Sequence, residues 1–393
     1  MPLLKRRAFL LGNLAALFGL RLKAQPKAVE LPTALEVAKP SATDFGGPKR
    51  HFRIDGVRFT ASMRIMEPVL LDVRRITAPT EWLDALCVGS PEGLILISTR
   101  SWQVVERLPL GPIDVRPLLL PGSRLFVANA YGEFFVINWD GEIIVRRAFQ
   151  SLSAPPLLLP DGSMVLGTRS RMLWRLDGML RPIWSQPIPE RFGAGPIQAP
   201  SLRTERRIAV GAGSAFLEFD LGGHLLHAIP LEGRVISAPA VDGDGGVMLL
   251  LNSNEIVRIE GGSRIAKRIA FEGRGLDPST HPLGIAPDAS LRLAVGKRGL
   301  LAIDPDGSLR WSFESEMPFH GPIVLDERGH VLVADRRGRL LLVDDRGSML
   351  CAFELEAMAV GFPSWTSGQW LCFATEAPSL VRLSLLSNQI RLE

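Results

Sequence analysis

An all-β fold is predicted for this 393-residue chain, with eight four-stranded antiparallel blades closed into a β-propeller. Two observations predict it. A unit of about 40 residues, the length of one propeller blade, recurs eight times along the chain. Within each copy, apolar runs too short for helices alternate with turns. The chain carries 38 Gly and 30 Pro in all, a composition suited to many short strands.

The unit is plainest in SAPPLLLPDGSMVLGTRSRMLWRLDG (residues 153–178) and SAPAVDGDGGVMLLLNSNEIVRIEGG (residues 237–262). Anchored on its proline, it starts at Pro79, Pro117, Pro155, Pro200, Pro239, Pro282, Pro322 and Pro363. The shortest step is 38 residues (79 to 117) and the longest 45 (155 to 200). A first apolar strand runs from the proline to a turn such as Pro160-Asp161-Gly162 or Asp326-Glu327-Arg328-Gly329. A second ends in small residues, as in Val165-Leu166-Gly167 and Leu332-Val333-Ala334, where adjacent blades leave little room. A third ends in an acid or amide, as in Ala302-Ile303-Asp304 and Val136-Ile137-Asn138, which suits the start of a Gly turn. A fourth follows, exemplified by Ser308-Leu309-Arg310-Trp311-Ser312-Phe313. Residues 54–73 are expected to pack on or complete an edge of the ring, because closure removes strand edges that invite aggregation.

The chain opens MPLLKRRAFLLGNLAALFGLRLKAQ. Lys5, Arg6 and Arg7 precede an apolar run from Ala8 to Leu20, about 20 Å of helix against ~30 Å of bilayer hydrocarbon. Residues 1–24 therefore read as an export signal rather than a spanning helix. Arg6-Arg7-Ala8-Phe9-Leu10 resembles the twin-arginine motif, with the general secretory route as alternative. Leu22-Lys23-Ala24 is a poor cleavage site, so an uncleaved signal is the one membrane attachment the sequence leaves open. Residues 25–53, rich in Pro, Ala, Lys and Glu, are expected to be a linker, and residues 54–393 the propeller. The localisation expected is periplasm or cell envelope.

With 45 basic and 41 acidic residues, the chain is far from the charge density of a nucleic-acid binder. Cys87, Cys351 and Cys372 make neither a disulfide framework nor a zinc pair, and free, mostly buried thiols are expected. Cys87 and Cys372 share the second-strand position of the first and last units. Blade faces packed about 10 Å apart hold them beyond disulfide reach. Asp242-Gly243-Asp244-Gly245-Gly246 lacks the later bidentate acid of a calcium loop and reads as a solvated turn. His224 and His227 fall on opposite faces of a strand. Neither a nucleophile elbow nor a P-loop is present.

The pattern of Pro, Gly, small-residue and Asp positions over residues 75–393 resembles the repeat of the PQQ-like (quinoprotein-type) propellers. The fourth-strand Trp of that repeat survives as Trp184 and Trp311, while Phe149, Phe271 and Phe353 stand in the corresponding stretches elsewhere. Dehydrogenases of this fold hold a quinone and calcium over the channel. The positions expected to face its mouth here are Thr77, Val115, Ser153, Gln198, Ser237, Thr280, His320 and Gly361, a set without a carboxylate. No cofactor, metal or catalytic residue is therefore expected. The exported, quinone-free form resembles the BamB family of outer-membrane assembly scaffolds, implying a non-enzymatic protein-interaction role. The alternatives are a quinoprotein-type dehydrogenase and a polysaccharide-binding propeller. Loops between second and third strands share a face with those leading into each blade. That face is expected to carry Arg169 and Arg171 in one turn, and Lys297 and Arg298 with Arg336, Arg337 and Arg339 in turns of two adjacent blades, whose charges merge into a patch beside His281 and His320 for acidic segments of envelope proteins.

Overall fold

The computed structural model describes residues 58–61, 63–261, 264–270, 283–295, 299–366 and 370–384. These form eight four-stranded antiparallel sheets, arranged as an eight-bladed β-propeller. Blades 1 to 7 take residues 80–108, 118–148, 157–187, 201–230, 240–270, 283–314 and 319–354. Blade 8 combines residues 359–384 with the strand Arg64–Leu70, which pairs with Ser379–Ser384 as its outermost member. The segment ahead of the first unit thus completes an edge, as its position suggested. The one helical element among the described residues is a 3-10 turn, Glu190–Phe192. No described helix is long and apolar enough to cross a membrane.

The second and third strands of each blade read as nearly unbroken apolar runs because both their faces are buried. In Arg124–Ala128, Leu125 and Val127 join Trp82, Cys87 and Leu96 between blades 1 and 2. The alternate residues Phe126 and Ala128 join Leu158, Met164 and Leu166 between blades 2 and 3. The two-residue period of a strand therefore sorts side chains between two neighbours rather than between core and solvent. Eight such layers among the described residues close the circle, the last bringing Cys372 and Leu380 of blade 8 onto Leu86 and Val88 of blade 1. Cys87 and Cys372 consequently lie in different layers, and all three cysteines are free thiols.

Five of the turns between third and fourth strands obey one rule. In Asp304–Gly307, the Gly307 amide donates to Asp304 O and the Asp304 amide to Ser308 O, with Gly307 at φ 83°. The same pair of bonds closes Asn138–Gly141, Asp177–Leu180, Asp220–Gly223 and Asp344–Gly347. A type I turn followed by a left-handed residue puts a bulge into the hairpin. The register shift recurs beside each, between Val136 and Ile137, Arg175 and Leu176, Glu218 and Phe219, Ala302 and Ile303, and Leu342 and Val343. The opening acid or amide earns its place through its side chain. Asp344 Oδ1 accepts the Arg346 and Ser348 amides at 3.0 and 2.7 Å.

Two details depart from the sequence reading. Pro322 and Pro363 do not precede their first strands but sit inside them, within the irregularities Phe319/Ile323 and Val360/Ser364, a position proline tolerates because no ladder bond is lost there. The residues in register with Trp184 and Trp311 are Glu106, Val145, His227, Lys267 and Cys351. Phe353 instead matches Phe313, two residues further on.

Candidate partner-binding face

A cavity of about 650 Å³ opens at the mouth of the channel against blades 8, 1, 2 and 3. Thr77, Val115, Ser153 and Gly361 line it, together with Arg169 from a second-to-third-strand turn and Glu376 from another. The two kinds of loop do share one face, as strand direction requires. Four polar members of the predicted ring serve the backbone, while Thr280 lies outside the described residues. Thr77 Oγ1 accepts the Gly89 amide (2.8 Å) and Ser237 Oγ the Leu250 amide (3.1 Å). Ser153 Oγ donates to Ile197 O (2.7 Å) and Gln198 Nε2 to Val235 O (3.2 Å). Each of the last two bonds ties one blade's lead-in to the next.

The mouth is not free of carboxylates. Asp114, one residue before Val115, and Glu376 both line the cavity, because the loops around the ring positions also face it. Both acids meet a basic group from a neighbouring blade. Arg169 Nη2 lies 3.5 Å from Asp114 Oδ2, and His320 Nε2 lies 3.7 Å from Glu376 Oε1. Arg75 and the buried Arg116 complete the charged lining, and Arg116 Nε donates to Thr80 Oγ1 at 3.0 Å. A count of acids as well as bases in these turns would have found Glu376. Asp114 would have been found by reading one residue beyond the ring.

The two described turns that carry the candidate docking arginines lie on opposite sides of the ring. Arg169 and Arg171 stand on blade 3, whereas Arg336, Arg337 and Arg339 stand on blade 7, across the ring. Arg171 holds the irregular segment into blade 4 by donating to the carbonyls of Ile188, Pro189, Gly193 and Gly195. Arg339 is engaged by Asp335 (2.8 Å) and Glu316 (3.5 Å). Arg336 and Arg337 are exposed. His320 is largely buried, its Nδ1 without a hydrogen-bond partner among the described residues. His281, Lys297, Arg298, Arg6 and Arg7 lie outside the described residues. Tyr131, 73% exposed, stands on the same face above Gly111.

Elsewhere, the acidic loop of blade 5 is a turn with an exposed tip, Gly243-Asp244, on a buried first acid. Asp242 is buried, accepts the Asp244 and Gly246 amides, and meets Arg258 at 3.1 Å. Among the described residues no three His, Cys, Asp or Glu side chains gather as a metal site. His224 faces Asp220 and His227 faces Glu218.

The chain is therefore an eight-bladed propeller whose repeats fit the PQQ-like pattern. Similar solved structures are BamB from Moraxella catarrhalis (13% identity, TM-score 0.66, covering 82% of this chain and 97% of that one) and the quinohemoprotein alcohol dehydrogenase from Comamonas testosteroni (12%, 0.72, 87% and 80%). Sqt1 from Saccharomyces cerevisiae is comparably similar (12%, 0.66, 82% and 99%). At such identities the likeness establishes the fold alone. No protein-family profile and no curated protein matches the sequence.

Proposed function

We propose that the protein is an exported, non-enzymatic scaffold of the cell envelope that docks other proteins on its channel-mouth face, in the manner of a BamB-like component of outer-membrane protein assembly. The observation that carries this reading is the state of the mouth acids. Asp114 and Glu376 each meet a base from an adjacent blade, so they join blades instead of converging on a common point. Pyrroloquinoline quinone with calcium does not fit such a lining, since a hard dication needs several convergent oxygens. The basic n-region with Arg6-Arg7 supports export, and Arg336 and Arg337 supply an exposed cationic site for an acidic partner segment.

Cross-linking in intact cells tests both parts. The protein is expected in the envelope fraction with its partners attached. Replacing Arg336 and Arg337 by Glu, with Arg298 as a third position, is expected to cut partner recovery severalfold. The melting temperature should barely move, because exposed charges contribute little to stability. A cytosolic protein would overturn the export reading, and full partner recovery by the charge variant at low salt would overturn the docking face.

A further inference from the structure

A second groove lies away from the mouth, on the outer wall between blades 2 and 3. Its volume is about 550 Å³, and it is lined by Ile144, Val145, Arg146, Arg147, Met179 and Arg181. The first four belong to the outermost strand of blade 2, Ile143–Ala148. That strand has a partner on one side only, Glu133–Ile137. It is the most open of the eight outermost strands, with five of its six residues exposed. Three of the other seven edges are blunted by proline. Pro182 and Pro187 bound the outer strand of blade 3, Pro230 ends that of blade 4, and Pro68 interrupts that of blade 8, as expected where an edge must not recruit a further strand. Ile143-Ile144-Val145, by contrast, is β-branched throughout and Ile143 and Ile144 are exposed.

The backbone here is poised to receive a strand. The Phe149 amide donates inward to Gly132 O. Because bonding alternates along an antiparallel strand, the amides of Arg147 and Val145 also point inward and those of Ala148 and Arg146 outward. The groove lining carries three arginines and no acid. Glu133 engages Arg146 at 2.6 Å and Asp177 engages Arg181 at 2.7 Å, while no ion pair of Arg147 is found among the described residues. We infer that the outer edge of blade 2 accepts an extended partner segment, alternately acidic and aliphatic, as a fifth strand. Main-chain bonds would supply affinity and side-chain alternation specificity, with carboxylates set against Arg147. The like charge of two such edges disfavours a second copy as occupant.

The probe is a fluorescent seven-residue peptide of alternating Glu and Val, titrated by anisotropy onto the full-length protein. Saturable binding is expected. Ala148→Pro, which removes an outward amide and no ladder bond, and Arg147→Glu should each weaken it at least tenfold. A Lys/Val peptide and a Glu/Val peptide with a central Pro should not bind. Arg336→Glu with Arg337→Glu should leave binding unchanged, which separates this site from the mouth face. Failure of the Glu/Val peptide to bind, indifference to Ala148→Pro and Arg147→Glu, or an edge-dependent dimer in sedimentation would overturn the inference.

Discussion

At the scale of single residues, Asp326 links the turn of blade 7 to the chain that closes the ring. Its Oδ1 accepts the Arg328 and His330 amides (2.9 Å each) and its Oδ2 the Phe59 amide (2.9 Å). His330 Nδ1 lies 3.2 Å from the same Oδ2, and Arg58 pairs with Glu327 alongside. Burial alone would raise the Asp326 pKa; His330 and the Phe59 amide outweigh it and hold the carboxyl below its ordinary 3.8. The carboxylate in turn raises His330 above its ordinary 6.5 against the opposing effect of burial. The signs are opposite. The acid's contribution is present above about pH 4 and lost as pH falls through its lowered value. The histidine's is full below about pH 6.5 and lost as pH rises through its raised value. Stability from the pair therefore peaks between these limits. In Asp326→Asn, melting temperature should fall by the equivalent of about 1–3 kcal/mol, and the decline of the wild type above pH 7 should flatten. Parallel pH profiles for the two proteins would refute the linkage.

At the scale of elements, the outer strands of blades 3 and 6 are tied to the next blade through their tryptophans. Trp184 Nε1 donates to Leu221 O (2.9 Å) and Trp311 Nε1 to Asp345 O (2.8 Å). Arg292, buried beside Trp311, stacks its guanidinium 5.3 Å from the ring, and burial lowers its pKa to about 10. Gly347 and Gly141 hold the same turn position with φ of 86° and 84°. A Cβ on Gly347 would come within 2.9 Å of Trp311, whereas one on Gly141 would meet nothing within 4 Å. Gly141→Ala should cost about 1–2 kcal/mol, the left-handed backbone alone. Gly347→Ala should cost visibly more in a denaturant melt, and equal losses would show that the tryptophan does not matter there. This contrast explains what the sequence could convey. The acid-to-Gly turn and the Pro anchor depend on local backbone geometry, so eight copies announced the strands. Which Gly touches a Trp of the neighbouring blade depends on packing between units, as does the meeting of Asp114 with Arg169. The position of Arg171 is similar. A charged turn residue reads as solvated until the carbonyls of the segment leading into blade 4 are seen around it.

At the scale of the molecule, blade 8 is the seam. Arg382 Nη2 reaches Glu67 O, 315 residues away in sequence, and its guanidinium lies 4.0 Å from the ring of Trp102 in blade 1. Loop closure over that span costs about 5 kcal/mol beyond a constant, which the eighth sheet and the layer around Cys372 must exceed. A variant lacking residues 58–70 should expose the blade 8–blade 1 layer first. Maleimide should then label Cys372 at least tenfold faster than in the intact protein, while Cys87, in the layer between blades 1 and 2, stays protected. Equal rates at both thiols would place the weak point elsewhere. The seam also fixes an order of birth. Arg64–Leu70 is synthesised long before its partner Ser379–Ser384, so the nascent chain carries an unmated edge while seven blades are made. Cutting the circle between two other blades, and joining the ends now at the seam, would exchange that long wait for a hairpin, and refolding of such a permutant should be faster without any change in the finished ring.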